Sequence, residues 1–199
     1  MTTEPDPIRT DIRCVLPIGT GRLVLSGWPG LRIAPAGEAW IDPEATAATL
    51  ADFRELDVGV LVALCEFTDL PGQAIPQLRH WCRQAALRLV HAPIRDYHPP
   101  EGRFLRQWGT LSPALHRRID AGAAVALACS YGAGRSGTLA ALMLAERGCP
   151  MKEAIGRVRA RFGAAIESAA QERWLLEPGS ARLMHDTPPA RAPLQGDRG

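Results

Sequence analysis

The sequence has little that would support a disulfide framework, a metal cluster or a membrane span. Its cysteines are few, and they show neither paired metal spacing nor the pattern of a disulfide scaffold: Cys14, Cys65, Cys82, Cys129 and Cys149. No apolar run approaches the roughly 20 residues of a membrane helix, and the N-terminus has no apolar signal core. We therefore expect a cytoplasmic protein in a reducing compartment, with no bound metal and no membrane contact.

Long blocks of like charge are also missing. The 23 basic and 21 acidic residues are interspersed and leave a net charge of +2. The densest basic spots, 117–118 and 157–161, fall on expected helices, where such charges are usually solvated. A nucleic-acid partner is not predicted, and nothing in the charge pattern indicates an oligomeric state.

The length suits one domain. A chain of 199 residues with 46% hydrophobic content can build a single sizeable core. Residues 1–10 are acidic and Pro-rich, and residues 179–199 are polar with three prolines. We expect a domain over 11–178, a flexible N-terminus over 1–10 and a disordered tail over 179–199.

Apolar runs and helical patterns alternate along the chain. Strands are expected at 13–18, 23–26, 58–64, 89–94 and 123–129. Helices are expected at 43–56, 73–87, 103–121, 136–147, 151–161 and 167–177. The Gly- and Pro-rich segment 27–42 is expected to be irregular. This alternation predicts an α/β fold, a three-layer sandwich with a mostly parallel central sheet flanked by helices.

One loop combines a thiol, glycines and an arginine between a buried strand and a helix. It reads Cys129-Ser130-Tyr131-Gly132-Ala133-Gly134-Arg135-Ser136-Gly137. A loop at a helix N-terminus directs backbone N–H groups at one point, which suits a phosphate. The same environment favours the thiolate form of Cys129. The planar fork of Arg135 can bind two phosphoryl oxygens, and Ser136 can donate a hydrogen bond to the sulfur. The structural alternative is a plain glycine turn with a buried cysteine.

The chain resembles the cysteine-dependent protein tyrosine and dual-specificity phosphatases, and in particular their kinase-associated phosphatase branch. The resemblance rests on the Cys, five residues, Arg, Ser-Gly pattern of this loop and on segments 25–30, 93–96 and 163–171, and it extends from about residue 12 to residue 178. It implies a tyrosine phosphatase-like fold, a phosphocysteine intermediate, a phosphorylated protein or peptide substrate and no cofactor. The phosphate loop would be residues 130–135: Ser130, Tyr131, Gly132, Ala133, Gly134 and Arg135.

One position departs from the family pattern. The family usually has His directly before the nucleophile, where this chain has Ala128. Weaker activation of Cys129 is the expected consequence. A catalytically weak or inactive phosphate-binding relative is therefore the alternative reading. A rhodanese-like sulfurtransferase also uses a loop cysteine, but the Arg135-Ser136-Gly137 ending fits it poorly.

A carboxylic acid is needed to protonate the leaving oxygen. Asp96 follows an expected strand, and its loop faces the same sheet edge as the Cys129 loop. The resemblance also places the general acid there. Glu101 is the substitute candidate, and His98 is interpreted as an exposed loop residue.

The remaining candidates are weaker. The resemblance gives Glu167 and Gln171 a possible role in positioning the hydrolytic water, although Glu167 also suits a helix start and Gln171 a packing or surface position. Cys65, at the end of another buried strand, is either a resolving partner of Cys129 or a buried structural thiol. The sequence leaves open whether phosphotyrosine, phosphoserine or phosphothreonine is the substrate.

Overall fold

The computed structural model describes residues 10–177. The expected flexible N-terminus, 1–10, lies outside the described residues apart from Thr10, and so does the whole expected tail, 179–199.

A central sheet of five strands organises the fold, and its order is β1-β2-β7-β5-β6. The strands are β1 (Ile12–Ile18), β2 (Gly21–Gly27), β5 (Val58–Ala63), β6 (Arg88–His91) and β7 (Ala124–Cys129); a separate antiparallel hairpin contains β3 (Leu31–Ile33) and β4 (Ala39–Ile41). Only the β1–β2 pair of the central sheet is antiparallel, and its other three pairs are parallel. The prediction of a mostly parallel central sheet is confirmed.

Within residues 10–177, six α-helices pack around this sheet in two groups. They are α1 (Pro43–Glu55), α2 (Ala74–Gln84), α3 (Gly102–Asp120), α4 (Gly134–Glu146), α5 (Met151–Arg161) and α6 (Ala169–Leu176). Helices α1 and α2 border one another, whereas α4 packs against α5 and α6 as well as against β7 and β2. A side-chain hydrogen bond from Trp108 of α3 to Glu146 of α4 joins α3 to the second group.

The strand and the helix on either side of the thiol loop are buried along almost their whole length. Every residue of β7 is buried, and so is every residue of α4 from Gly134 to Ala145. A strand that packs on both faces and a helix that is enclosed all round both require continuous apolar sequence. The loop between them is therefore anchored at both ends in the core.

Several boundaries differ from the sequence expectation. The β3–β4 hairpin lies in the segment that the sequence predicts to be irregular. Strands of three residues are too short for their hydrophobic pattern to be detected. Helix α4 begins at Gly134 and not at residue 136, so Arg135 lies in its first turn. Strand β6 ends at His91, before Pro93, which has no N–H for a strand ladder. Helix α6 begins after its N-cap Ser168, so Glu167 precedes the helix and does not start it.

A buried carboxylate fastens the C-terminal end of α4 to α3. Glu146 accepts hydrogen bonds of 2.7 Å from both Trp108 Nε1 and Ser112 Oγ, and His116 Nε2 lies 2.8 Å from Glu146 Oε2. The Glu146 side chain is 1% exposed. Because all three partners come from α3, this network fixes the register between the two helices.

Replacing Glu146 by alanine should destabilise the fold strongly. The change leaves three α3 polar groups without their acceptor, and breaking a buried polar pair in this way costs about 3 kcal/mol or more. Urea denaturation would measure the loss in the free energy of unfolding. The matched control is Asp120→Ala, which removes the half-exposed partner of Arg147 and should cost less than about 1 kcal/mol. Equal losses in the two variants would contradict the assignment.

Candidate active site

The thiol of Cys129 lies at the end of β7, inside the loop that leads to α4. Cys129 is 3% exposed, and its Sγ accepts a hydrogen bond of 3.2 Å from the backbone N–H of Gly132. The loop therefore closes over the sulfur with a backbone donor directed at it. Such a donor stabilises a thiolate more than a neutral thiol.

The carbonyl groups of the loop point away from its centre. Ser130 O accepts from Trp28 N at 3.2 Å, and Ala133 O accepts from Gly137 N at 2.9 Å. Tyr131 O accepts from Arg13 Nε at 2.7 Å. Because N–H and C=O of one planar trans peptide point in opposite directions, these contacts turn the following N–H groups toward the interior. The loop can therefore surround an anion with backbone donors.

Sequence reasoning missed Arg13, which reaches the loop from β1. In addition to its hydrogen bond to Tyr131 O, its guanidinium lies 4.6 Å from the centre of the Tyr131 ring. The ring of Tyr131, which is largely exposed, also approaches Phe162 at a centroid distance of 6.1 Å. Arg13 thus holds both the backbone and the side chain of Tyr131. No local pattern at residue 13 indicates this contact.

Two glycines of the loop are required by space. Gly132 has φ +93°, and a Cβ there would lie 2.6 Å from Gly27 N of β2. A Cβ at Gly137 would lie 2.8 Å from Ala165 Cβ. At both glycines the backbone closely approaches neighbouring segments of the protein. It brings β2 and the segment before α6 against the loop.

Arg135 is a buried cation at the centre of the site. Its side chain is 1% exposed. Its Nη1 contacts Asp69 and donates to Ile94 O at 3.1 Å, and its Nη2 donates to Ser130 Oγ at 2.8 Å. Asp96 Oδ1 forms an ion pair with Nη2 at 3.0 Å. Among the described residues, nothing hydrogen-bonds the buried Nε.

The charge of Arg135 is maintained by its neighbours. Burial by itself would lower the pKa of the guanidinium, but the negative charges that Cys65 and Cys129 carry when ionised, together with the hydrogen-bonded Asp69 carboxylate, raise the pKa above its usual value. The site therefore holds a permanent positive charge next to the sulfur. A dianionic phosphoryl group has the opposite charge and is therefore a suitable ligand for the guanidinium.

Asp69 is a site residue that sequence reasoning did not identify. It belongs to a short 3-10 helix, Phe67–Asp69, that follows β5. Its Oδ2 contacts Arg135 and also accepts from Glu66 N at 2.8 Å. The available signal was its position just beyond a buried strand, since the carboxyl ends of parallel strands meet at one edge of a sheet.

Of the three candidate acids, the structure brings Asp96 to Arg135. Asp96 is 48% exposed at its side chain, so it faces both the buried guanidinium and the solvent. His98 lies on the same loop, with Nδ1 2.6 Å from Asp96 O. Glu101 is an exposed residue at the N-cap of α3. Within residues 10–177, neither His98 nor Glu101 forms a hydrogen bond or an ion pair with Arg135.

The start of α6 holds the Asp96 loop in place. Ser168 Oγ donates to Tyr97 O at 2.6 Å, and Gln171 Nε2 donates to His98 O at 3.4 Å. Tyr97 has φ +58°, a conformation that costs energy for a residue with a side chain. These two contacts from α6 support that strained turn. The Asp96 loop is therefore tied to the C-terminal helix α6.

Glu167 and Gln171 both border the Cys129 loop at Gly134. A Cβ at Gly134 would lie 3.1 Å from Glu167 Oε2 and 3.1 Å from both terminal atoms of the Gln171 amide. Gln171 is fully buried and its Oε1 accepts from Ser168 N at 3.2 Å, whereas Glu167 is exposed. Gln171 is thus a buried residue that contacts two loops. The surface position considered for it from the sequence was wrong.

Ser136, within the loop, and Cys65, beside it, both have buried side chains. The buried Ser136 Oγ has no hydrogen-bond partner in the part of the chain that is described. Cys65 Sγ lies 3.4 Å from Ser130 Oγ. Burial raises the pKa of Cys65 to about 12, so Cys65 is a neutral thiol at physiological pH. Cys65 is therefore not a competing nucleophile.

Ala128, which replaces the family histidine, is held by its backbone. It is fully buried in β7, and its carbonyl accepts from Leu64 N at 2.8 Å. It pairs with Ser26 on one side and Ala63 on the other. The residue before the nucleophile thus keeps its place through the sheet ladder without a polar side chain.

Residues 10–177 contain neither a metal-binding cluster nor a membrane-spanning helix. No three His, Cys, Asp or Glu side chains there are grouped so that they could hold a metal ion. None of the helices in this range has the length and hydropathy of a membrane-spanning segment.

The chain is similar to known phosphatases in sequence and in structure. A family model described as a polymorphic toxin system DSP-PTPase phosphatase, Tc-R-P, matches residues 36–149. Mouse protein tyrosine phosphatase type IVA 3 is 30% identical over 125 residues, which cover 62% of this chain and 67% of the mouse protein.

Two solved structures share the fold. Kinase-associated phosphatase with its catalytic-site cysteine replaced by serine superposes with a TM-score of 0.71 at 19% identity, over 90% of this chain and 98% of that one. Tk-PTP in its active form gives a TM-score of 0.58 at 24% identity, over 81% of this chain and 93% of that one.

Proposed function

Since the chain belongs to the DSP-PTPase phosphatase family and is a phosphatase of the protein tyrosine and dual-specificity kind, we propose that it hydrolyses phosphate monoesters through a phosphocysteine at Cys129. The substrate is a phosphorylated protein or peptide, with phosphotyrosine and also phosphoserine or phosphothreonine as the target groups. The catalytic unit spans residues 11–178. A thiolate nucleophile is stable in a reducing compartment, so we place the protein in the cytoplasm.

In the first step, the Cys129 thiolate attacks phosphorus. The S–P bond forms as the bond from phosphorus to the leaving oxygen breaks, and Asp96 gives that oxygen its proton. The backbone N–H groups of residues 130–135 and the Arg135 guanidinium, through the Nε that is free within residues 10–177, hold the equatorial oxygens, where negative charge is spread in the transition state. Asp96 suits the acid role because it lies 3.0 Å from the same guanidinium that would hold the phosphoryl group.

In the second step, water attacks the phosphocysteine. Asp96, now a carboxylate, removes a proton from that water, the P–O bond forms and the S–P bond breaks. Ser136 Oγ donates a hydrogen bond to the departing sulfur, a role that its lack of another partner in the described region supports. Glu167 and Gln171 border the loop at Gly134 and would position the water.

The observation that carries this proposal is the buried guanidinium of Arg135 with an unpaired Nε. Burying a polar N–H without a partner is costly. Such a group persists where a ligand completes its hydrogen bonding, and here it lies in the loop that encloses the Cys129 thiol. An anion with several oxygens satisfies the remaining donors of the site, and the thiol supplies the nucleophile.

The test is release of phosphate together with capture of the intermediate. We expect wild-type protein to hydrolyse an aryl phosphate such as p-nitrophenyl phosphate without added metal. Acid quenching during turnover of a ³²P-labelled phosphopeptide should leave label on Cys129. No phosphate release from folded protein would overturn the enzymatic proposal, and release without labelled protein would overturn the covalent route.

Asp96→Ala should slow turnover according to the leaving group. Loss of a general acid costs about 10²- to 10⁴-fold in kcat, and the loss should be largest for a phosphopeptide and smallest for an aryl phosphate whose phenolate needs no proton. Steady-state kinetics on both substrates measure this difference. Glu101→Ala is the matched control and should keep its activity on both. A larger loss in Glu101→Ala than in Asp96→Ala would identify Glu101 as the acid.

A second candidate function follows from Ala128. Without the usual histidine beside the nucleophile, the chain would be a catalytically weak or inactive relative that binds phosphopeptides. The inactive form of this reading predicts phosphopeptide binding with no turnover at any pH. Phosphate release at a rate above background, lost in Cys129→Ser, excludes it. The family assignment leaves no support for a rhodanese-like sulfurtransferase.

A further inference from the structure

A second cavity, of about 720 Å³, opens beside the candidate active site. Its volume is in the usual range of small-ligand sites. It lies between the 3-10 helix after β5, the end of β6 and the first two turns of α3. The residues on which the argument rests are Glu66, Phe67, His91, Arg103, Arg106 and Gln107.

This cavity shares two walls with the catalytic site. The segment 66–69 lines the cavity with Glu66 and Phe67, and it ends in Asp69, which contacts Arg135. The segment 93–96 lines it with Pro93 and ends in Asp96. The same two short segments therefore border both the cavity and the catalytic loop. A polypeptide that leaves the catalytic site across them reaches the cavity within a few residues.

The walls of the cavity are tied to the loop of the nucleophile. His91 Nε2 lies 2.8 Å from Cys65 O, and Gln107 Nε2 donates to His91 O at 3.2 Å. Cys65 in turn contacts Ser130. The cavity is thus a preformed part of the same framework, and a ligand in it would meet fixed walls.

The two arginines that line the cavity give it positive charge, and neither forms a salt bridge with a residue of 10–177. Arg103 and Arg106 are exposed, and no carboxylate within residues 10–177 forms a salt bridge with either of them. Glu66 is the acidic side chain among its lining residues, against these two arginines. Unpaired arginines at a concave site favour carboxylate or phosphate ligands, which they can bind with two parallel hydrogen bonds.

An exposed aromatic ring adjoins the two arginines. Phe67 is 68% exposed, and its ring meets the His91 ring edge-on at a centroid distance of 5.4 Å. Aromatic and arginine side chains together are typical of the centres of polypeptide-binding surfaces. The combination fits a side chain with its adjoining backbone better than a free inorganic ion.

We propose that this cavity binds an anionic side chain of the phosphoprotein substrate, a carboxylate or a second phosphate, a few residues from the group that is hydrolysed. The inference rests on the proposed function, because the same polypeptide occupies both sites. Arg103 and Arg106 pair with the anion, and Phe67 packs against the adjoining backbone. The phosphatase thereby selects phosphorylated residues within acidic or multiply phosphorylated sequences.

The experiment compares three phosphotyrosine peptides that differ in their flanking residues. One has neutral flanks, one has glutamates, and one has a single hydrolysis-resistant phosphonate. We expect wild type to show kcat/KM about five- to tenfold higher for at least one anionic peptide than for the neutral one, through a lower KM. The anionic peptide with the larger increase in kcat/KM over the neutral peptide identifies carboxylate or phosphate as the ligand.

The double variant Arg103→Glu, Arg106→Glu should lose this preference. Its kcat/KM on the neutral peptide and on p-nitrophenyl phosphate should stay at the wild-type value. The matched control is Arg79→Glu, Arg83→Glu, which makes the same change of charge at exposed positions on α2 and should keep the preference. Circular dichroism and the Tm of each variant report whether it is folded.

The outcomes separate this inference from the proposed function. If wild type shows no anionic preference, or if the preference survives in the Arg103, Arg106 double variant, the inference is overturned. If wild type hydrolyses nothing, the proposed function fails, and the cavity is then tested by fluorescence anisotropy of the labelled peptides on the Cys129→Ser protein. Binding that prefers the anionic peptides and needs Arg103 and Arg106 supports the inference even in that case.

Discussion

Cys129→Ser should reduce hydrolysis of aryl phosphates and phosphopeptides by on the order of 10⁴-fold or more. A serine hydroxyl at this position has no base to activate it, whereas the thiol can ionise and is intrinsically more nucleophilic. The replacement is nearly isosteric at a site that is 3% exposed, so the fold and the loop should be retained. The variant should therefore still bind phosphopeptides, because the backbone donors and Arg135 are unchanged.

The control for this change is Cys149→Ser, at a half-exposed cysteine that follows α4. It should keep wild-type kcat/KM. Cys65→Ser should likewise keep most activity, since Cys65 remains a neutral thiol. Activity in Cys129→Ser above a hundredth of wild type would mean that another group attacks phosphorus.

Arg135→Lys should lower kcat/KM by about 10³-fold, although the positive charge is kept. Arg135 uses its planar fork in four directions, toward Asp69, Ile94 O, Ser130 Oγ and Asp96. A lysine ammonium cannot keep these four contacts and also present a donor to the equatorial oxygens, as the Arg135 Nε does, where a donor matters most in the transition state. Kinetics with an aryl phosphate, for which leaving-group protonation matters least, isolate this effect.

Two further variants check the interpretation. Arg54→Lys, at an exposed position in the last turn of α1, should keep wild-type kcat/KM. Asp69→Asn should lower it less than Arg135→Lys does, because Asp69 acts by positioning the guanidinium and does not itself reach the phosphoryl group. Arg135→Lys activity within tenfold of wild type, in a protein of unchanged Tm, would show that Arg135 does not stabilise the transition state.

The local pattern of the chain was enough for the fold class and for the nucleophile loop. Strand β7 and helix α4 are enclosed on all sides, so their sequence is apolar without interruption and readable from composition. The thiol, the glycines and Arg135 lie within nine consecutive residues at the junction of these two elements. A chemical site built from one continuous segment is visible in the sequence because chain proximity and spatial proximity coincide.

The rest of the site is assembled from residues far apart in the chain. Asp69 meets Arg135 across 66 positions, and Arg13 meets Tyr131 across 118. Ser168 and Tyr97 of the Asp96 loop, which are joined by a hydrogen bond, are 71 positions apart. None of these contacts leaves a periodic pattern, because each depends on which strands are neighbours and where their ends fall.

The sequence by itself thus determined an α/β domain and a thiol with an arginine in a glycine-rich loop. The first follows from the periodicity of apolar residues, and the second follows from the spacing of residues that are close together in the chain. Only the tertiary structure decided how that loop is held. Its carbonyls are turned outward by Trp28 and Arg13, its arginine is paired with Asp69, and a basic cavity adjoins it at the next strand. These features arise from strand order and loop packing, which bring together residues that the linear chain keeps apart.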